Sequence, residues 1–156
     1  MSASPMDAAG AEPVAFPQPE SSDIGTPFWA SLKQGKLSFQ RCQSCGKAWL
    51  PARHQCPGCL SPNWQREESK GQARLISWVV YHVAYHPAFA NRLPYTVAVV
   101  ELDEGPRMIT NLIHTEAHSL QLDQRLWLVI EDEQGVAVPR FEPHPPGAGM
   151  TAKAQA

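Results

Sequence analysis

Residues 42 to 59 read Cys42-Gln43-Ser44-Cys45, ten further residues, then Cys56-Pro57-Gly58-Cys59, and these four are all the cysteines of a 156-residue chain. Zn²⁺ takes four thiolates in a tetrahedron, which two tight turns brought face to face can supply. Gly46 follows the first pair and Pro57-Gly58 lies inside the second, so each pair sits in turn chemistry. The pattern predicts a two-knuckle zinc ribbon. Disulfides, a redox site and an iron site are the competing readings. A redox Cys-x-x-Cys opens a helix, whereas Cys45 is followed by Gly46, Lys47 and strand-like Ala48-Trp49-Leu50, and two copies argue for one shared ion. Zinc is the expected ion and iron its main rival, because thiolate sites accept both. A catalytic zinc needs an open position that four sulfurs close, so the metal is read as structural and His54 as a loop histidine.

The chain has 43% hydrophobic residues, enough for one moderate core or two small, closely packed subdomains. No apolar run approaches the length of a membrane span. With no lysine or arginine before Lys33 and no continuous apolar stretch, a secretory or transit signal is not expected, and reduced cysteines on metal suit a cytoplasmic setting. The formal charge of -2 hides an asymmetry. Residues 33–74 carry eight bases against two acids, a balance of +6, and residues 75–143 carry four against nine, a balance of -5. Two accounts of the basic half stay open: compensation of a tetrathiolate zinc site, or an anion-binding face.

Residues 1–25 are rich in Ala, Pro, Ser and acids without periodicity, and are expected to form a disordered tail. In Thr26-Pro27-Phe28-Trp29, Thr26 can cap and Pro27 suits the first helical turn; with Leu32 and Gly35 this predicts a short helix. Lys36–Arg41, Ala48–Leu50 and Trp64–Glu68 read as ribbon strands, so residues 26–70 form the first unit. From Gly71 the pattern is five strands: a long bent one over Gln72–Tyr85, then Tyr95–Leu102, Arg107–Ile113, Arg125–Glu131 and Val136–Phe141. The apolar runs suggest walls with little exposed face. A mainly β chain is expected, with a short N-terminal helix, a four-cysteine ribbon and an OB-type barrel over 71–143, and 144–156 is again read as a disordered tail.

Pro27-Phe28-Trp29, Arg41-Cys42-x-x-Cys45-Gly46, Cys56-Pro57-x-Cys59, His86-Pro87-x-Phe89, Pro94-Tyr95, Val99-x-Glu101-Leu102-Asp103-Glu104-Gly105-Pro106-Arg107 and Pro139-Arg140-Phe141 together resemble the domain of unknown function 35 family. It is also described as acyl-CoA-associated OB-fold proteins with a rubredoxin-like zinc ribbon. The resemblance covers roughly residues 26–143. It implies metal binding by Cys42, Cys45, Cys56 and Cys59, and a role as partner subunit of thiolase-like enzymes, acyl transferases, CoA-linked aldolases or hydratases in lipid, steroid or polyketide metabolism. The stretch Tyr81–Pro94 would then lie near an acyl-CoA channel.

With every thiol committed to metal and no nucleophile motif around the barrel histidines, a partner is expected to supply the chemistry. His82 and His86, four apart on one expected strand, would stand roughly 13 Å apart, too far for one ion. Coenzyme A needs cations for its phosphates and an apolar slot for its acyl chain. Arg41, Lys47, Arg53 and Arg74 are the candidate phosphate contacts, Tyr81, Tyr85, Phe89 and Tyr95 the candidate slot, and Phe28 and Trp29 the candidate docking pair. The bland alternative keeps these arginines solvated and these aromatics in the core. Two rival functions remain. Nucleic-acid binding is disfavoured by the net negative barrel half, and a stand-alone hydratase or thioesterase would have to show turnover by the single chain.

Overall fold

The computed structural model describes residues 14–143; the tail expected over 144–156 and the first part of that expected over 1–25 lie outside the described residues. One helix, α1 (Thr26–Lys33), precedes eight strands: β1 (Ser38–Cys42), β2 (Ala48–Trp49), β3 (Trp64–Glu68), β4 (Gln72–Tyr81), β5 (Tyr95–Leu102), β6 (Arg107–Leu112), β7 (Arg125–Glu133) and β8 (Val136–Glu142). The mainly β fold expected from the sequence is present.

Pro27 opens α1 as expected, but Gly25, not Thr26, is the N-cap. The Thr26 hydroxyl instead accepts from the Ser22 amide at 3.2 Å, bracing the turn that enters the helix. Leu32 is buried on the inner face, and Gly35 takes the positive φ of +78° that ends the turn.

The ribbon is a three-stranded antiparallel sheet in the order β2-β1-β3. Its central strand buries Gln40 completely. That burial is tolerated because the carboxamide donates to the Arg53 carbonyl at 2.9 Å and accepts from the Arg53 amide at 2.7 Å, leaving neither end unpaired.

The remaining five strands close into a barrel in the order β4-β5-β6-β8-β7. A register shift between Leu75 and Ser77 bends β4, so that Gln72–Arg74 pair with β7 while the strand pairs with β5 along its length. Closure rests on one parallel pair, Leu112 with Phe141. Leu75, Val100, Leu102, Leu112, Leu126 and Phe141 fill the interior together with Leu32 and Leu37 from the helical segment.

Two expectations need correction. The long first strand ends at Tyr81, so His82 and His86 lie in the following loop and not on one strand; Pro87 opens a 3₁₀ turn over Pro87–Arg92, and His86 caps it by accepting the Ala88 amide at 3.2 Å. The apolar run of β5 also alternates: Thr96, Ala98, Val100 and Leu102 point inward, Val97 and Val99 are half-buried, and nearby Val79 and Ile109 are exposed. Valine-rich strands bury both faces only where a layer covers the outside, and here the described residues provide none.

Within the stretch assigned by composition to a tail, Phe16 is buried against Phe89, with ring centroids 5.0 Å apart. A lone aromatic among prolines has no periodicity to announce it.

The Asp103-Glu104-Gly105 turn joins ribbon to barrel. The Glu104 carboxylate accepts from the Lys70 amide at 2.8 Å and the Ser69 hydroxyl at 3.0 Å, and its carbonyl accepts from Arg41 at 3.3 Å. Glu104→Ala strands the Lys70 amide and the Ser69 hydroxyl, while the backbone carbonyl met by Arg41 remains, and is expected to lower unfolding free energy by about 1–3 kcal/mol. Urea titration followed by tryptophan fluorescence reads this loss; an unchanged midpoint would remove Glu104 as the joint.

Candidate functional site

The two knuckles bring their sulfurs together as the spacing predicts. All four Sγ atoms lie within 4.8 Å of one another, with Cys42–Cys59 and Cys45–Cys56 each at 3.6 Å. A tetrahedron with Zn–S bonds of 2.3 Å has S–S edges of ~3.8 Å, so the cage is the right size for such an ion. Turn amides point into it: Ser44 N–H donates to Cys42 and Gly58 N–H to Cys56, each at 3.3 Å.

The electrostatics of the cage call for a cation. Burial pushes the Cys42 thiol up, but the amides of Cys45 and Ser44 outweigh it and hold it lowered to about 6. At Cys59 the Ser61 amide works downward, yet the crowding sulfurs of Cys45 and Cys42 push the thiol up to about 12. Four sulfurs this close cannot all ionise unaided, which is the demand a divalent ion satisfies. Cys42 and Cys56 are buried with Trp49 and Trp64 packed beside them, while Cys45 and Cys59 face outward. His54 is 66% exposed and pairs loosely with Asp23 at 3.5 Å.

The four expected slot aromatics form one array. Tyr81 stacks on Tyr95 with centroids 5.2 Å apart and planes 2° from parallel; Phe89 lies 5.9 Å from Tyr95, and Tyr85 6.0 Å from Tyr81. Tyr85 is 83% exposed, so the array runs from protein to solvent. Sequence reasoning missed Phe16, which extends it, and Arg92, whose guanidinium lies 4.8 Å from the Phe16 ring and pairs with Glu133.

The four expected phosphate contacts do not behave as a set. Arg74 is held by Glu101 at 2.6 Å and Asp123 at 2.7 Å, and Arg41 by Glu67 at 2.8 Å. Among the described residues, Lys47 and Arg53 enter no ion pair, and both are exposed. Phe28 and Trp29 meet edge to face at 5.3 Å and line an apolar cleft of about 380 Å³ with Leu50, Pro51, Met108 and Ile109. Of the barrel histidines, His86 meets the aromatic array edge-on at Phe89 with ring centroids 6.1 Å apart, whereas His114 pairs with Glu142 and His118 sits in a 3₁₀ turn over Ala117–Ser119.

These ion pairs set an acid limit. Arg74 and Arg107 hold the Glu101 carboxyl below its ordinary 4.5, Arg125 holds Asp103 low, and Arg41 holds Glu67 low. A depressed folded pKa contributes stability above the unfolded value and loses it as pH falls through the folded one. The contribution of these carboxylates is therefore expected to be flat from about pH 7 to 5 and to fall below ~4.5. Glu101→Gln should shrink that fall in a series of urea midpoints; an identical acid profile would exclude the Arg74–Glu101–Arg107 cluster as its source.

Ribbon, cage and closed barrel define a zinc-ribbon/OB-fold protein. Two family models match in tandem: the ChsH2 rubredoxin-like zinc ribbon domain over residues 29–65 and the ChsH2 C-terminal OB-fold domain over residues 66–131. A DUF35 domain-containing scaffold protein of Methanothermobacter thermautotrophicus is 30% identical over 116 residues, covering 69% of this chain and 86% of that relative. The chain belongs to the DUF35 family. A probable enoyl-CoA hydratase alpha subunit of Thermomonospora curvata is 36% identical over 123 residues, covering 76% of this chain but 37% of the relative, so the chain spans little more than a third of that protein. Among solved structures, a chain of the Ltp2-ChsH2(DUF35) aldolase superposes with a TM-score of 0.71 at 31% identity, over 81% of this chain and 98% of that one.

Proposed function

We propose that this protein is an accessory subunit that binds and positions acyl-CoA for a thiolase-like, aldolase or hydratase partner. The observation that carries the reading is the likeness to a chain of a solved aldolase over nearly its whole length. The kinship to a hydratase alpha subunit and to scaffold proteins points the same way. Cys42, Cys45, Cys56 and Cys59 would hold Zn²⁺, whose part is to fasten the two knuckles. The chain's thiols are thereby committed to structure, and the reacting groups are assigned to the partner.

Within this reading the acyl group lies along Tyr81, Tyr85, Phe89 and Tyr95, and Lys47 and Arg53 are the cations open to phosphate. Arg41 and Arg74 are already neutralised by carboxylates, which a phosphate would have to displace. Phe28 and Trp29, at the apolar cleft, are the proposed docking pair for the partner. A cytoplasmic setting, where thiols stay reduced, fits this arrangement. Among the described residues no helix is long and apolar enough to cross a membrane.

Affinity capture with the full chain, paired with calorimetric titration of octanoyl-CoA alone and with the captured protein, tests the proposal. Recovery of an acyl-CoA enzyme and binding in either titration are expected. Recovery of ribosomes or polymerase without acyl-CoA binding would overturn it in favour of a nucleic-acid module.

A further inference from the structure

Residues 14–22 form neither helix nor strand, and their exposed backbone would leave them free of the barrel but for one side chain. Among the described residues, the one hydrogen bond made by residues 14–21 runs within the segment, from the Gln18 side chain to the Phe16 carbonyl at 3.4 Å. Val14, Ala15, Pro17 and Gln18 are exposed, whereas Phe16 is 9% exposed. A cleft of about 280 Å³ opens between residues 18–21, α1 and the β7–β8 turn, so the segment stands off the surface it crosses. It is a strap with a single anchor.

The anchor's position gives it a consequence. Phe16 packs against Phe89 with ring centroids 5.0 Å apart and planes tilted by 54°, Phe89 in turn lies 5.9 Å from Tyr95, and the Arg92 guanidinium lies 4.8 Å from the Phe16 ring centre. It thus fills the end of the aromatic array where the proposed function places the acyl group. We infer that Phe16 is a displaceable plug, and that the strap regulates this slot by competing in cis with the acyl chain; the inference rests on the acyl-CoA reading. An anchor tied by one ring, without backbone bonds to the barrel, can leave at little cost in hydrogen bonding. Arg92 stays fixed by Glu133 when the ring departs, so the slot keeps its shape.

A plug docked roughly nine-tenths of the time would weaken apparent affinity about tenfold, because only the open fraction binds. Octanoyl-CoA and free CoA are titrated calorimetrically into the full-length wild-type chain, Phe16→Ala and Phe16→Trp, with thermal melts to confirm folding. Phe16→Ala is expected to bind octanoyl-CoA about tenfold tighter. Phe16→Trp, a larger ring in the same seat, is expected to bind it more weakly than wild type. Free CoA, which lacks the competing chain, should bind all three alike. Equal octanoyl-CoA affinities would overturn the plug and leave the acyl-CoA reading standing. A gain shared equally by free CoA would overturn competition for the acyl group. No binding by any variant would overturn the acyl-CoA reading itself, and the regulation with it.

Discussion

Removing the metal with a chelator, or replacing Cys56 by serine, is expected to abolish the ribbon sheet while the barrel strands stay paired. The ribbon's own core is Cys42, Trp49 and Cys56 with Trp64 alongside, too little apolar area to offset the ordering of some thirty residues. Structural Zn²⁺ supplies on the order of 10 kcal/mol at such sites, and without it crowded sulfurs repel as they ionise. The barrel has a separate interior built from Leu75, Val100, Leu102, Leu126 and Phe141. Elemental analysis should therefore find one ion per chain. Hydrogen exchange after chelation should show lost protection in Ser38–Cys42 and Trp64–Glu68 and retained protection in Tyr95–Leu102. Fully folded protein without metal, or exchange that rises equally in both units, would sink this account.

Phe141→Ala is expected to destabilise the barrel by about 3–5 kcal/mol. The ring is 0% exposed, and it sits where β8 meets β6 in the one parallel pair that closes the barrel. The backbone there is joined by the Ile113 amide donating to the Phe141 carbonyl at 3.0 Å, so a cavity at this position also slackens the seam. Against a total stability of ~5–15 kcal/mol, the loss brings the protein near its unfolding threshold. Ile109→Ala is the control: the residue is 73% exposed, and its truncation should change stability by less than about 0.5 kcal/mol. Urea midpoints at constant metal loading measure both. A Phe141→Ala cost no larger than that of Ile109→Ala would mean that the barrel does not depend on this closure.

How far the sequence could be read varied with the range of the interaction. Trp64–Glu68 and Tyr95–Leu102 were expected as strands with the bounds they have, because turn residues flank them on both sides. The end of β4 was overrun by four residues, since apolar Val83 and Ala84 continue the strand pattern after the chain has turned away from its partner. Thr26 could be recognised as a helix-start residue, but which residue caps depends on backbone angles that the preceding Ser22–Gly25 turn sets.

The spacing of Cys42, Cys45, Cys56 and Cys59 determined the ribbon by itself, because a knuckle is a local turn whose ligands lie a few residues apart. Apolar β-branched runs and the turn residues between them likewise pointed to a five-stranded barrel after it. Only the tertiary structure decided which charges are already paired and which ring packs on Phe89. Arg74 meets Asp123 across 49 residues and Phe16 meets Phe89 from a stretch without pattern, contacts set by strand register and chain path rather than by neighbouring residues.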